Sequence, residues 1–284
     1  MHESNERVLR MISEYLCFMP TAIGHEDVTI LAAECGIGLN DAYMALLAAH
    51  CGLDTALAED ARLYREWFPQ MVRMENPEKY LADEYMRRVQ PAEGRCGSID
   101  LVRETLQPME LFVTDDFRED GEGRIFPKLG WFMGEFSFPA IREDERVWMT
   151  VTPNEINTIQ PVVRQSRGKV LTYGLGLGYY AFHCLLRPEV SSVTVVEKNA
   201  QVISVFRELI LPHFPRQQDL RIVEADAFKY AADVAPGEGY DTVFTDLWHD
   251  VADGLPLYRR MKALETPGPA YHYWIEPTLR CYMD

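Results

Sequence analysis

With 284 residues the chain is long enough for a well-buried core and for about two domains. Its 47% hydrophobic and 25% charged residues give a globular composition, and no apolar run approaches the roughly 18 residues that a membrane helix needs. The formal net charge of −16 makes a field that repels a phosphate backbone, which excludes nucleic acid as the expected partner and leaves a cationic or neutral small molecule.

The charge is unevenly shared, with 29 acidic and 15 basic residues before position 161 and 15 and 13 after it. The opening MHESNERVLR is charged where an export signal needs an apolar stretch, so a cytoplasmic protein without a membrane partner is expected. Six cysteines (Cys17, Cys35, Cys51, Cys96, Cys184, Cys281) are scattered without a CxxC pair. That pattern predicts reduced thiols acting as small buried hydrophobes rather than a disulfide framework.

The first hundred residues read as helices. Val8, Ile12, Leu16 and Met19 recur at helical spacing after Asn5, and Pro20 ends the run. HEDVTILAAECG and LNDAYMALLAAHCG follow, with Gly36 and Gly52 placed as left-handed caps. Further helical stretches run from Asp54 toward Phe68 and from Pro77 toward Val89. From about Glu110 aromatic and β-branched residues punctuated by Gly and Pro predict short strands and hairpins, with the acidic run Asp115 to Gly123 as a solvated connection.

After Pro161 strands and helices alternate. Strands are predicted at Lys169–Tyr173, Ser192–Val196, Leu220–Val223, Thr242–Thr245 and Tyr271–Ile275, with helices from Tyr179, over AQVISVFRELIL, from Ala227 and from Leu255 to Leu264. Such alternation means a parallel sheet with helices on both faces, binding its ligand at the carboxyl ends of the strands. The expected organisation is a helical region over 1–108, a β-hairpin connector over 109–160 and an α/β, Rossmann-like doubly wound domain over 161–284.

The turn after the first of these strands is GLGLG, with Gly174, Gly176 and Gly178. Glycines serve where backbone turns sharply and a ligand lies against it at a helix N-terminus. Behind this turn stand three acids: Glu197 ends the second strand, where it can take both ribose hydroxyls of a nucleoside, Asp226 follows the third, near an adenine amino group, and Asp246 follows the fourth, at the mouth. Each acid can also be read as a helix N-cap.

On these residues the stretch from Gly168 to about Pro277 resembles the class I S-adenosylmethionine-dependent methyltransferases and the related spermidine synthases. VLTYGLGLG is similar to the methyltransferase first motif, VVEKN to the acidic second motif and EADAF to the third. The resemblance implies S-adenosylmethionine, or its decarboxylated form, held by Gly174, Gly176, Gly178, Glu197, Asp226, Ala227 and Asp246. YDTVFTDLWHD is similar to the fourth motif of catechol O-methyltransferase, which implies Asp246 and His249 as the catalytic residues and a small-molecule acceptor shaped by Asp246 and Trp248. A neutral imidazole is chemically fit to act as the base. In that enzyme the acid at the place of Asp246 also binds magnesium. Here the second ligand segment falls on Glu276-Pro277, and proline supplies no side-chain ligand, so no metal residue is assigned and Mg2+ stays an alternative.

SSVTVVEKNAQVI and YDTVFTD are similar to the spermidine synthases as well, which makes aminopropyl transfer the alternative activity. The acid usual two residues before the first glycine is here Thr172, and Glu155 or Asn154 of the PNE segment stands ready to supply that charge, the other reading of PNE being a capped turn. A nucleoside-binding or interaction module without turnover is the rival from another class. Self-association stays open.

Overall fold

The computed structural model describes residues 3–283. In chain order the elements are α1 (Glu3–Phe18), α2 (His25–Cys35), α3 (Leu39–His50), α4 (Ala58–Met71), β1 (Val72–Met74), α5 (Pro77–Leu81), α6 (Glu84–Arg88), β2 (Gly94–Cys96), β3 (Ile99–Leu106), β4 (Phe112–Glu119), β5 (Ile125–Trp131), β6 (Phe136–Glu143), β7 (Arg146–Thr150) and α7 (Pro153–Gln165). Strands and helices then alternate, with two helices between the third and fourth strands, in β8 (Gly168–Tyr173), α8 (Tyr179–Leu186), β9 (Val190–Glu197), α9 (Ala200–Val205), β10 (Leu220–Glu224), α10 (Ala227–Asp233), α11 (Ala235–Glu238), β11 (Thr242–Thr245), α12 (Val251–Lys262), β12 (Ala270–Tyr273) and α13 (Glu276–Arg280). The chain forms two compact units, one from residues up to Glu78 together with Thr105–Ser137, the other from Lys79–Glu104 together with Phe138 onward.

In the first unit α1 to α4 enclose a core with the three-stranded sheet β1-β5-β4. Val8, Ile12 and Tyr15 on α1 are buried at helical spacing, as an amphipathic helix requires. Tyr43 and Trp131 stack with ring centroids 4.6 Å apart, the Tyr43 hydroxyl donates to the Met109 carbonyl at 2.9 Å and Trp131 Nε1 donates to Asn40 at 3.2 Å, so this pair is packed and also satisfied. Asn5 lies inside α1 rather than capping it: its amide nitrogen donates to the Gly123 carbonyl at 2.8 Å and its oxygen accepts from the Ile125 N–H at 3.0 Å.

The second unit holds a four-stranded sheet, β2-β3-β6-β7, and a five-stranded sheet in the order β10-β9-β8-β11-β12. Every neighbour pair of the latter is parallel, with Val170 opposite Val193 and Thr242, so this is a Rossmann-like α/β sheet. Its central strands are continuous apolar runs because helices cover both faces: Val170, Leu171, Val193, Val195, Val243 and Phe244 are all buried. The chain runs outward from β8 through β9 to β10 and then crosses back to β11, so strand order reverses beside β8. That is where the functional loops gather.

Several boundaries depart from the sequence reading for local reasons. The helix expected over residues 77–89 divides because the Asp83 carboxylate accepts the Tyr85 and Met86 N–H groups and starts α6 afresh. Asp115 and Asp116 belong to β4 rather than to a loop, since an edge strand tolerates charge on its wet face. β2 and β3 precede Glu110. α7 runs through Pro161, with Pro153 in its first turn, so PNE is a helix start. Residues 206–210 form a π turn in place of a continuous α-helix. α12 starts at Val251 because Asp250 caps it, and Ile275 leaves the fifth strand in a left-handed conformation at φ 46°. The six cysteines are free thiols, but only Cys184 is buried and Cys17 and Cys35 are exposed, so they are not uniformly core residues. No single helix among the described residues is long and apolar enough to cross a membrane, and α2 with α3 passes that test only as a pair bent by 113°.

Candidate functional site

The turn between β8 and α8 has left-handed backbone at all three glycines, with φ of 95°, 50° and 77° at Gly174, Gly176 and Gly178. Their reasons differ. A Cβ on Gly174 would stand 2.0 Å from the Asp246 carbonyl, and one on Gly178 would strike the rings of Phe206 and Phe214. At Gly176 the nearest atom to such a Cβ is the Met149 sulfur at 3.8 Å, so this glycine faces open space. Close protein packing thus requires two of the glycines, and the third borders a cavity.

That cavity, of about 430 Å3, lies over the carboxyl ends of β8, β9, β10 and β11. All the cofactor candidates from the sequence line it: Gly174, Gly176, Gly178, Glu197, Asp226, Ala227 and Asp246, with His249 alongside. Aromatic walls are formed by Trp148, Trp248 and Trp274, and among the described residues Lys198 is the one Lys or Arg lining it, beside four carboxylates, Glu155, Glu197, Asp226 and Asp246. β7, expected only as part of a connector, supplies one wall and feeds directly into α7.

Glu197 is buried, and its two oxygens accept the N–H groups of Leu175 at 3.2 Å and Asn199 at 2.8 Å. It therefore shapes the glycine turn as well as lining the cavity. A carboxylate has about four lone-pair sites, so each oxygen keeps acceptor capacity. Asp226 caps α10 by accepting from the Lys229 N–H at 2.9 Å through Oδ1, and Ala227 opens that helix. The helix-cap reading of Asp226 is thus correct in geometry, and the same residue borders the cavity.

Asp246 is half-buried, and burial pushes its carboxyl up to about 7. Its side chain has no hydrogen-bond partner among the described residues, while its backbone N–H donates to the Tyr173 carbonyl. Glu155, in the first turn of α7, is pushed up to about 8 by burial, with the charge of Asp246 adding to it and a 2.9 Å bond from the Thr150 hydroxyl opposing it. Two carboxyl groups from different elements therefore share one side of the cavity, Asp246 with no bond to its carboxylate among the described residues and Glu155 with bonds from Thr150 and Thr152 that burial outweighs.

His249 is held by a neighbour that the sequence reading missed. Its Nδ1 stands 2.9 Å from Asp253 Oδ2, and Trp148 lies edge-on to its ring at 4.1 Å. Asp253 also accepts the backbone N–H groups of His249 and Asp250, and though partial burial works against it, these bonds and the imidazole hold its carboxyl below the usual range. An ionised carboxylate can only accept, so Nδ1 carries the hydrogen, and in the neutral ring Nε2 is the acceptor. The four-residue spacing of His249 and Asp253, behind the helix-capping Asp250, is the sequence signal that carried this pairing.

The second ligand segment that the magnesium alternative needs does not reach the cavity. Among the described residues no group of three or more His, Cys, Asp and Glu side chains is placed to hold a metal ion. Glu276 accepts from the Tyr258 hydroxyl at 2.6 Å and from Arg280 at 2.7 Å instead of lining the cavity.

No protein-family profile matches the chain, and no curated protein matches it. Among solved structures it is similar to a probable spermidine synthase from Corynebacterium glutamicum, at 15% identity and a TM-score of 0.34, over 47% of this chain and 55% of that one. The match thus spans about half of each protein.

Proposed function

We propose that this chain binds S-adenosylmethionine at the strand ends of its parallel sheet and transfers the methyl group to a small-molecule acceptor, with His249 as the base. The observation that carries this reading is the shared cavity that Gly176, Glu197, Asp226, Asp246 and His249 all line. S-adenosylmethionine, when bound, supplies an electrophilic methyl carbon on a sulfonium.

The side chains divide the work. Gly176 leaves the turn open, Glu197 offers its unused lone pairs to ribose hydroxyls, and Asp226 with Ala227 borders the adenine end. Glu155 and Asp246 provide the negative charge that Thr172 lacks, suited to the ammonium of a methionine moiety. His249, oriented by Asp253, takes the acceptor's proton through Nε2, with Trp148 edge-on against its ring. Holding two reactants in line supplies much of the expected acceleration. The free thiols suit a reducing cytoplasm.

A second reading, aminopropyl transfer from decarboxylated S-adenosylmethionine to an amine, is favoured by the lining of four carboxylates and one lysine. Incubation of the protein with a small-molecule cell extract and cofactor labelled in the methyl group is expected to move label into a new product, and to do so in the presence of a chelator. Transfer only from cofactor labelled in the aminopropyl group would establish the second reading. No transfer from either would leave a binding module without turnover.

A further inference from the structure

We infer that Asp83 and Tyr85, on a segment to which the sequence assigned no chemistry, are positioning residues that clamp the glycine turn in its ligand-competent shape. The inference rests on the nucleoside reading of the cavity. Tyr85 is fully buried, and its hydroxyl donates to the Leu177 carbonyl, 92 residues away, at 2.6 Å. Glu197 accepts the Leu175 N–H from β9. Gly176, the glycine with open space beside it, is therefore pinned through both flanking residues, by one side chain from upstream and one from downstream in the sequence. Such anchoring matters because three successive left-handed glycines make a backbone with many alternative conformations to lose.

Asp83 holds the helix that the turn opens into. Its Oδ2 accepts from the Tyr179 hydroxyl at 2.9 Å and its Oδ1 meets His183 Nε2 at 3.0 Å. Tyr179 and His183 are one turn apart on α8, so one carboxylate grips the first turn of that helix. The same Asp83 caps α6, which sets Tyr85 under the loop. Both the Asp83 and His183 side chains are 10% exposed. Burial works against its charge, but the bonds from His183, Tyr179 and the Tyr85 N–H keep the Asp83 carboxyl below the usual range. The Tyr179 hydroxyl also accepts from Gln160 at 2.9 Å, which joins the clamp to α7 and so to the helix that carries Glu155.

The test compares the wild type with Tyr85→Phe, which removes one hydroxyl, at a temperature where circular dichroism finds both folded. Tyr179→Phe serves as the second variant should Tyr85→Phe fail to fold. Amide exchange in the free protein is expected to speed up by about 10-fold or more in peptides covering residues 174–182, with β9 and β11 unchanged, and calorimetric affinity for S-adenosylhomocysteine to fall by about 5–100-fold. Exchange that is unchanged in 174–182, or that rises uniformly across the unit, overturns the clamp, as does unaltered affinity. A wild type that binds no S-adenosyl ligand while the variant still loosens 174–182 supports the clamp and overturns the nucleoside reading.

Discussion

His249→Ala is expected to lower the transfer rate by about 10²–10⁴-fold while leaving cofactor affinity nearly unchanged, the scale for removal of a positioned general base. The expectation rests on the arrangement of the imidazole, because Asp253 fixes Nδ1 as the donor at 2.9 Å and leaves Nε2 as the acceptor beside the cavity. Asp253→Asn tests the same pair from its other side. An amide oxygen can still accept the backbone N–H groups of His249 and Asp250, so the helix start survives, but the negative charge that stabilises an imidazolium is gone. A smaller fall, about 10-fold or more, is expected there without loss of cofactor binding. Single-turnover rates with the identified acceptor measure both. An active His249→Ala protein would move the base to Asp246, and abolition of wild-type activity by a chelator would contradict the metal-free account.

Asp246→Asn is expected to abolish transfer and at the same time to stabilise the free protein as pH rises. An acid raised in the folded state binds its proton more tightly there than in the unfolded chain. Its contribution to stability therefore falls as pH climbs from the ordinary carboxylate range toward the folded value, and stays low above it. Asp246 at about 7 and Glu155 at about 8 place that loss between roughly pH 4 and pH 8. The variant should thus melt higher than the wild type at pH 8, by about 2–4 °C for each kcal/mol of relieved penalty, with little gain near pH 4. A cationic ligand restores the charge balance, so its binding at pH 6.5 should release protons, read as a dependence of calorimetric heat on the buffer's ionisation enthalpy. A variant no more stable than the wild type at pH 8 would contradict the reading of the Asp246 carboxylate as uncompensated.

The parallel sheet was legible because its strands are short runs bounded by turn residues and alternate with helical patterns, and the acids Glu197, Asp226 and Asp246 stand at or just past the ends of β9, β10 and β11. What lay beyond reach was whatever depends on contacts between distant segments. Nothing local in RVWMT says that β7 forms a cavity wall, nor does the helical pattern around residues 77–89 reveal that Asp83 breaks it in order to hold Tyr179 and His183. The differing duties of Gly174 and Gly176 were equally hidden, since only the fold brings the Asp246 carbonyl against one and open space against the other. Asp253 stands between these cases: its spacing from His249 was readable, but its role as a cap competed with its role as an orienting carboxylate, and the structure assigns it both.

Calorimetric titration of the wild type and of Glu197→Ala with S-adenosylhomocysteine and with NAD tests the central claim most directly. Saturable binding of S-adenosylhomocysteine in preference to NAD is predicted, weakened by about 1.5–3 kcal/mol, or roughly 10–150-fold, when the Glu197 carboxylate is removed. Tighter binding of NAD, or S-adenosylhomocysteine affinity indifferent to Glu197, would contradict it.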